Sequence, residues 1–415
     1  MNLFTRLVAT TTAFILLGMS LSADEAEWAR HIQELKTQLN VQADLLQKLT
    51  RTAAPASTDT SIGGYGEMSY TRYLTKDDRT QADLKRFVLF LGHRFNEQIS
   101  FNSELEWEHA IVSQSDQGES EIEQAFLTYQ ISSGLALKTG LFLIPFGFIN
   151  PSHEPPTFYG VERNEIETRI IPSTWREGGL ELSGTTETGF IWNVGITTGF
   201  DLAKFDDASA PLKASHQELQ FAKARDLSYY GALAYKESGF TLGSALFMGN
   251  AFHGNADFKA DSTNPDFSGI TGHITLWDIH TRWQKNGWDF QALYANGTIS
   301  DTDAIDAVLK TYNLANPTSS RPYVPSEFYG WLVQGAYTLW QEGDMSLTPF
   351  ARFETYNTQA RLPNGFTSDL ENADHVLTVG MSFKPRYDVV FKADYQKFND
   401  NPDTNRWALG MGYMF

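Results

Sequence analysis

The stretch RWALGMGYMF, Arg406 to Phe415, decides how the rest of the chain is read. Trp407, Leu409, Met411, Tyr413 and Phe415 are apolar, and between them stand Ala408, Gly410, Gly412 and Met414. That is a period of two, which in an extended strand puts the large side chains on one face. A long apolar edge strand is an aggregation hazard in water. In lipid the constraint is different. Every backbone group must be paired within the protein, and only helices and closed barrels meet that demand. The stretch therefore reads as the closing strand of a barrel.

Composition agrees. The chain has 415 residues, no cysteine and a formal net charge of −18. Without cysteine there is neither a disulfide framework nor a thiolate metal site. The acidic balance argues against a nucleic-acid partner. Aromatic residues make up 13% of the chain while mean hydropathy is negative. Such a pairing suits strands that alternate lipid-facing and water-facing side chains, not apolar helical spans.

The first residues read as an address. Arg6 begins a positive n-region, residues 7–19 (LVATTTAFILLGM) are an apolar core, and Ser20-Leu21-Ser22 offers small residues at a cleavage site. A signal peptide over 1–22, and hence export, is expected. A transmembrane anchor is the other reading, but the run falls short of the roughly 20 residues a span requires. Residues 24–50 follow with Trp28, Ile32, Leu35, Leu39, Gln42, Leu46 and Leu49 at heptad spacing. They predict a short coiled coil, or else a lone amphipathic helix. Residues 51–60 (RTAAPASTDT) read as a linker to a barrel over 61–415.

From Ser61 onward period two prevails over helical periodicity, in sixteen segments: 62–74, 82–95, 98–112, 120–132, 134–146, 176–186, 189–200, 226–237, 239–250, 270–285, 287–300, 326–340, 344–358, 373–384, 386–398 and 404–415. Short turns such as SSG, KESG and KNG alternate with long polar connections such as 201–225, 251–269, 301–325 and 359–372. Short turns at one end and long loops at the other mark an antiparallel outer-membrane barrel of sixteen strands. The strand 404–415 is then expected to close against 62–74, with Trp407, Tyr413 and Phe415 on the lipid side. A terminal aromatic of this kind also resembles the signal that delivers such barrels to their assembly machinery.

Alternation assigns the inner face. Glu104, Glu106 and Glu108 point inward on one strand. Arg86, Arg94, Lys138, Arg282, Arg352, Glu354, Lys384, Arg386, Lys392 and Arg406 point inward on others. A lumen lined this way holds water, and sixteen strands are wide enough for a channel. Basic rows on the closing strands are expected to face acids on the third strand and to set a transverse field. Acids in the outer loops, Asp206 and Asp301 among them, are expected to bridge to lipopolysaccharide through divalent cations.

One connection differs from the rest. Residues 145–176 carry four prolines after Pro145, together with His153, Glu154, Glu162, Arg163, Glu165, Glu167 and Arg169. This third outer loop is expected to fold into the lumen as its constriction, an ordinary surface loop being the other reading.

GLFLIPFG (Gly140–Gly147) and IIPSTWREGGLELSG (170–184) around that loop resemble the phosphate-selective porin O/P family. The resemblance implies an exported chain with an N-terminal helical stub and a trimeric sixteen-stranded porin barrel. A weaker resemblance is to sixteen-stranded siderophore porins. Phosphate selectivity in the O/P family rests on basic rows in the pore. Here the third loop sets four Glu against Arg163, Arg169 and Arg176. The expected function is therefore passive diffusion of small polar or charged solutes with weak ion selectivity. Selective uptake of phosphate or of a siderophore complex is the alternative.

Enzymatic readings find little support. His153-Glu154 lacks the second histidine of an H-E-x-x-H zinc site, and no G-x-S-x-G elbow is present. No metal or cofactor is expected. A catalytic barrel and a barrel tethered to the cell wall through its helix remain as rival classes.

Overall fold

The computed structural model describes residues 60–254 and 265–415. The expected signal peptide, the helical segment 24–50 and linker residues 51–59 lie outside the described residues. The strands are β1 (Thr60–Tyr73), β2 (Gln81–Arg94), β3 (Ile99–Glu108), β4 (Ser120–Ser132), β5 (Leu135–Leu143) and β6 (Arg176–Thr185). Next come β7 (Phe190–Thr197), β8 (Ser228–Glu237), β9 (Phe240–Asn250), β10 (His273–Lys285) and β11 (Trp288–Ile299). The last are β12 (Glu327–Tyr337), β13 (Trp340–Glu342), β14 (Met345–Arg361), β15 (Ala373–Arg386), β16 (Val389–Phe398) and β17 (Arg406–Met414).

All neighbours pair antiparallel, and β17 returns to β1, so the sheet closes. The short β13 continues β12 along β14, so the two make one stave and the barrel has sixteen. Each segment expected from alternation falls on one of these staves. At the seam, Phe415 donates its N–H to Gly64 O at 2.9 Å, and Gly64 N–H donates to Phe415 O at 3.0 Å. Phe415 is thus paired on both its amide and its carbonyl.

Short turns and long loops segregate to opposite ends, as the sequence implied. The turn between β10 and β11 shows why the sequence suffices there. Asn286 and Gly287 both have positive φ (51° and 80°), the conformation a two-residue hairpin of the right twist requires.

Faces follow from register. Lys392 pairs with Gly410 and Asp394 with Ala408, while Phe391 pairs with Met411 and Tyr395 with Trp407. Leu409 is 56% exposed and its neighbour Ala408 only 1%, which fixes the apolar row as the outer one. Aromatic residues gather on that face toward both ends. Trp288 and Tyr337 (4.6 Å between ring centroids) and Phe190 and Tyr235 (5.0 Å) stand near the short turns. Trp277 and Tyr294 (5.3 Å) and Tyr395 and Trp407 (4.8 Å) stand toward the loops. Two such girdles mark the interfaces of a membrane barrel.

Two expectations fail. The connection after β11 contains a helix, α1 (Thr302–Ala315), where only a polar loop was read. Ile305, Val308 and Leu309 repeat at helical spacing and pack with Phe200, Leu202, Phe205, Phe252 and Val324 in one buried cluster. Three apolar positions within a polar loop are too few to outweigh the surrounding alternation. The long outer connections are therefore held together by an apolar interior. Arg321 assists by donating to Ala203 O at 2.7 Å and Phe205 O at 3.0 Å.

The second failure concerns Arg386. A register shift between Phe383 and Arg386 pairs Arg386 with Val389, which in turn pairs with Tyr413 of the outer row. Arg386 sits at a short turn beside Asp388 (3.1 Å), with 61% of its side chain exposed, and does not face the lumen.

Candidate functional site

The connection between β5 and β6 runs through the barrel interior. Its two stems are stitched together by Asn150. The side-chain amide donates to Ile144 O (2.7 Å) and Trp175 O (2.9 Å), and its Oδ1 accepts from Trp175 N–H (2.6 Å). Ile144, Phe146, Ile149, Ile166, Ile170, Ile171 and Trp175 are buried. They give the loop an apolar underside that packs toward β9 and β10, where Phe247 and Leu276 lie in the same cluster.

Glu167 holds the bend of the loop from within. Its Oε1 accepts from Phe148 N–H and Ile149 N–H, both at 2.6 Å, and its Oε2 accepts from Asn164 Nδ2 at 2.6 Å. Gly147 is required beneath it: φ is 61°, and a Cβ there would lie 2.2 Å from Glu167 Oε1. Glu167 is thus a buried internal brace of the loop and does not line a channel.

Wall residues then fasten the loop. Glu354 Oε1 accepts from Glu165 N–H (2.7 Å), and Asp394 Oδ2 accepts from Val161 N–H (2.6 Å). Lys384 donates to Pro156 O (2.7 Å), and Lys392 donates to Gly160 O (2.8 Å) with its ammonium 3.6 Å above the Phe158 ring. Tyr159 donates from its hydroxyl to Asp289 Oδ2 (2.9 Å). Lys85 pairs with Glu162, and Arg406 lies 3.6 Å from Glu165 while donating to Gln396 Oε1 at 2.6 Å. Arg169 pairs with Glu165 (2.6 Å) and covers the Tyr356 ring; Arg163 donates to Thr174 Oγ1 (2.7 Å). Glu154 lies at the start of this run and accepts from Ser152 Oγ at 3.3 Å.

Most inward charges expected from alternation therefore point inward, but they serve the loop or one another. The expected opposed rows are not present. Arg86 meets acids on the two neighbouring staves: Glu67 of β1 at 2.9 Å, and Glu106 and Glu108 of β3 at 3.2 Å and 3.9 Å. Arg352 pairs with Glu354 two residues along the same strand, at 2.7 Å. Arg94, opposite Ser100, also faces inward by register. Charge is compensated locally, and the transverse field assumed from sequence does not follow.

Several interior residues escaped the sequence reading. Glu67, Asp278 and Asp289 stand at inward positions of β1, β10 and β11, where alternation could have found them. Glu123 could not be found that way. It is the extra residue of a bulge: Glu104 pairs with Gln124, but Leu105 pairs with Ile122. His153, with no metal partner at sequence spacing, meets Glu123 at 3.0 Å and Glu104 at 3.6 Å.

A closed antiparallel barrel of sixteen staves, apolar outside, with a long loop folded through a charged interior, is the fold of outer-membrane porins. Salmonella typhi OmpF, solved in complex with daunomycin, matches over 86% of this chain and 97% of its own, with TM-score 0.55 and 12% identity. A loop L8 deletion mutant of OmpT, an outer-membrane protein of Vibrio cholerae, matches over 86% and 99%, with TM-score 0.52 and 10% identity. At that identity the likeness is one of fold. No family model matches the sequence. An uncharacterized protein of Aquifex aeolicus is 33% identical over 362 residues, covering 86% of this chain and 80% of that one, and the chain belongs to one family with it.

Proposed function

We propose that the chain is an outer-membrane porin, a passive path for small polar solutes narrowed by the loop 145–176. The observation that carries this reading is the interior. Phe247 and Leu276 pack against the apolar side of the loop, but Glu354, Lys384, Lys392 and Asp394 on β14–β16 meet it with charged groups that tether it by hydrogen bonds. Beside the loop, inward side chains keep part of their surface open: Lys85 20%, Glu108 29%, Lys138 25%, Glu162 27%, Arg169 24% and Arg282 28%. Each of these has an opposite charge within 4 Å. An ion passing such pairs meets little net field, so weak selectivity is the expectation and a strong phosphate preference is not. Trimeric assembly in the bacterial outer membrane is part of the same proposal, with the exposed aromatic face against lipid or a second copy.

The test is electrical. Purified protein inserted in a planar bilayer should give ohmic conductance steps, closing in three levels if trimeric. Silent membranes at high protein concentration overturn the reading.

A further inference from the structure

Where His153 meets the wall, buried acids lack partners. Glu123 is fully buried and neither of its oxygens has a hydrogen-bond partner. Glu104 is 3% exposed; Gln124 Nε2 holds its Oε2 at 2.6 Å, and Oε1 is left unpartnered. His153 is 5% exposed, with Nδ1 lying 3.3 Å from Asn150 O. That contact assigns an N–H to Nδ1, and Nε2 points at the two carboxylates. Nε2 lies 3.0 Å from Glu123 Oε1 and 3.6 Å from Glu104 Oε1, yet it is aligned with neither as a hydrogen bond. Tyr65, fully buried with an unpartnered hydroxyl, stands edge-on to the imidazole at 5.8 Å. Of the nearby guanidiniums, Arg86 is held by Glu67, Glu106 and Glu108, and Arg163 donates to Thr174.

Unpaired carboxylates in a buried place are costly unless a cation accompanies them. We infer that Glu104, Glu123 and His153 bind a divalent transition-metal ion that clasps the lumen loop to the β3–β4 wall.

Three features favour this over a simple imidazolium clasp. First, one donor atom from each residue lies within 4.8 Å of the others. Ligands at roughly 2.1 Å from a tetrahedral ion stand about 3.4 Å apart, close to the separations here. Second, the surroundings orient the ligands. Metal-bound histidines typically donate the other ring N–H to a carbonyl, as His153 does to Asn150, and ligating carboxylates are themselves hydrogen-bonded, as Glu104 is by Gln124. Third, Glu123 reaches the cluster only because of the bulge. Bulges re-aim single side chains at such places. An imidazole with two carboxylates selects zinc-like ions over magnesium or calcium, which take oxygen ligands.

The site can be tested without any current, so its failure and that of the channel reading are separate results. Folded full-length protein in detergent, stripped with chelator, is equilibrated with Zn2+ and its metal content measured. Zinc stands near the top of the divalent affinity order, so a site of this type must take it up. One equivalent per chain is expected, with affinity at least tenfold weaker in Glu123→Gln and in His153→Gln. Cobalt should give a visible d–d band in the wild type and none in H153Q. Zinc should also slow amide exchange at 148–157 in the wild type and not in E123Q. Heat-modifiable migration shows that each variant is folded. Folded wild-type protein without stoichiometric zinc overturns the site, as do variants that bind zinc as the wild type does.

Discussion

Glu354 and Glu123 are two carboxylates on the same inner wall, both fully buried beneath the same loop. Glu354 has every oxygen occupied: Oε1 by the N–H of Glu165, Oε2 by Arg352 Nε at 2.7 Å. Glu123 has neither occupied. Equal burial thus accompanies opposite electrostatic situations. One flank of the loop is sealed by its own hydrogen bonds, and at the other the carboxylate accepts none. Burial by itself says nothing about which flank is rigid.

The sealed flank should be the costlier to break. Glu354→Ala leaves a buried guanidinium and a buried N–H without their partner, a loss of roughly 3–5 kcal/mol by the precedent of halved buried pairs. Urea unfolding in detergent should show it, together with a larger conductance step as the loop loosens. An unchanged midpoint would mean that Glu354 does not hold the loop. Glu167→Ala removes an acceptor from three donors inside the loop itself, and a cost of about 2–3 kcal/mol is expected in the same assay. The barrel wall should stay intact, so exchange should rise in 146–170 and not in the strands.

On the open flank the sign should reverse. In metal-free protein Glu123→Gln removes a buried charge that accepts no hydrogen bond and has the His153 imidazole 3.0 Å away, and stability should hold or rise by about 1 kcal/mol. A loss comparable to that of Glu354→Ala would erase the distinction between the flanks. Selectivity should respond more weakly still. Arg282 is paired with Asp289 and keeps 28% of its side chain open, whereas Arg386 sits at a turn. In dilute salt, Arg282→Ala should move the reversal potential toward cations while Arg386→Ala leaves it in place. If Arg386→Ala shifts it instead, the register of β15 and β16 is wrong.

The most local effect lies outside the strands. Asp306 in α1 accepts from Val324 N–H at 2.8 Å, and burial pushes its carboxyl up to about 7 against that hydrogen bond. In the opened loop it would titrate near the ordinary value of about 4. The folded form then binds the extra proton, so this stabilisation is full below about pH 4 and is lost as pH rises through about 7. Exchange protection of 302–324, corrected for intrinsic rates, should fall between pH 5 and pH 8. Asp306→Asn should flatten that dependence.

The staves were legible because lipid imposes a strict rule. Side chains alternate and every strand must pair, so Trp407, Leu409 and Met411 announce both a strand and its face. Bulges break the rule by a single residue, and the consequences are local: Glu123 was missed and Arg386 was turned inward on paper. The destination of the 145–176 loop could be read from its place in the order of hairpins. Its partners could not, because Asp278, Asp289 and Glu354 meet it from distant parts of the chain, up to 189 residues away. Helix α1 was hidden for another reason. Its few apolar residues gain meaning only against Phe200 and Phe252, which arrive from other loops.

The pairing of Phe415 with Gly64 constrains how the molecule comes into being. The first stave has two neighbours, β2, which follows it directly, and β17, which every other stave precedes in the chain. No partial chain can complete the cylinder, however many hairpins it contains. Until β17 arrives, β1 presents an open row of amides and carbonyls. Contacts of such long sequence separation are slow to form. Closure therefore waits on the most distant stave, and whatever escorts the chain must shield β1 until β17 is in place.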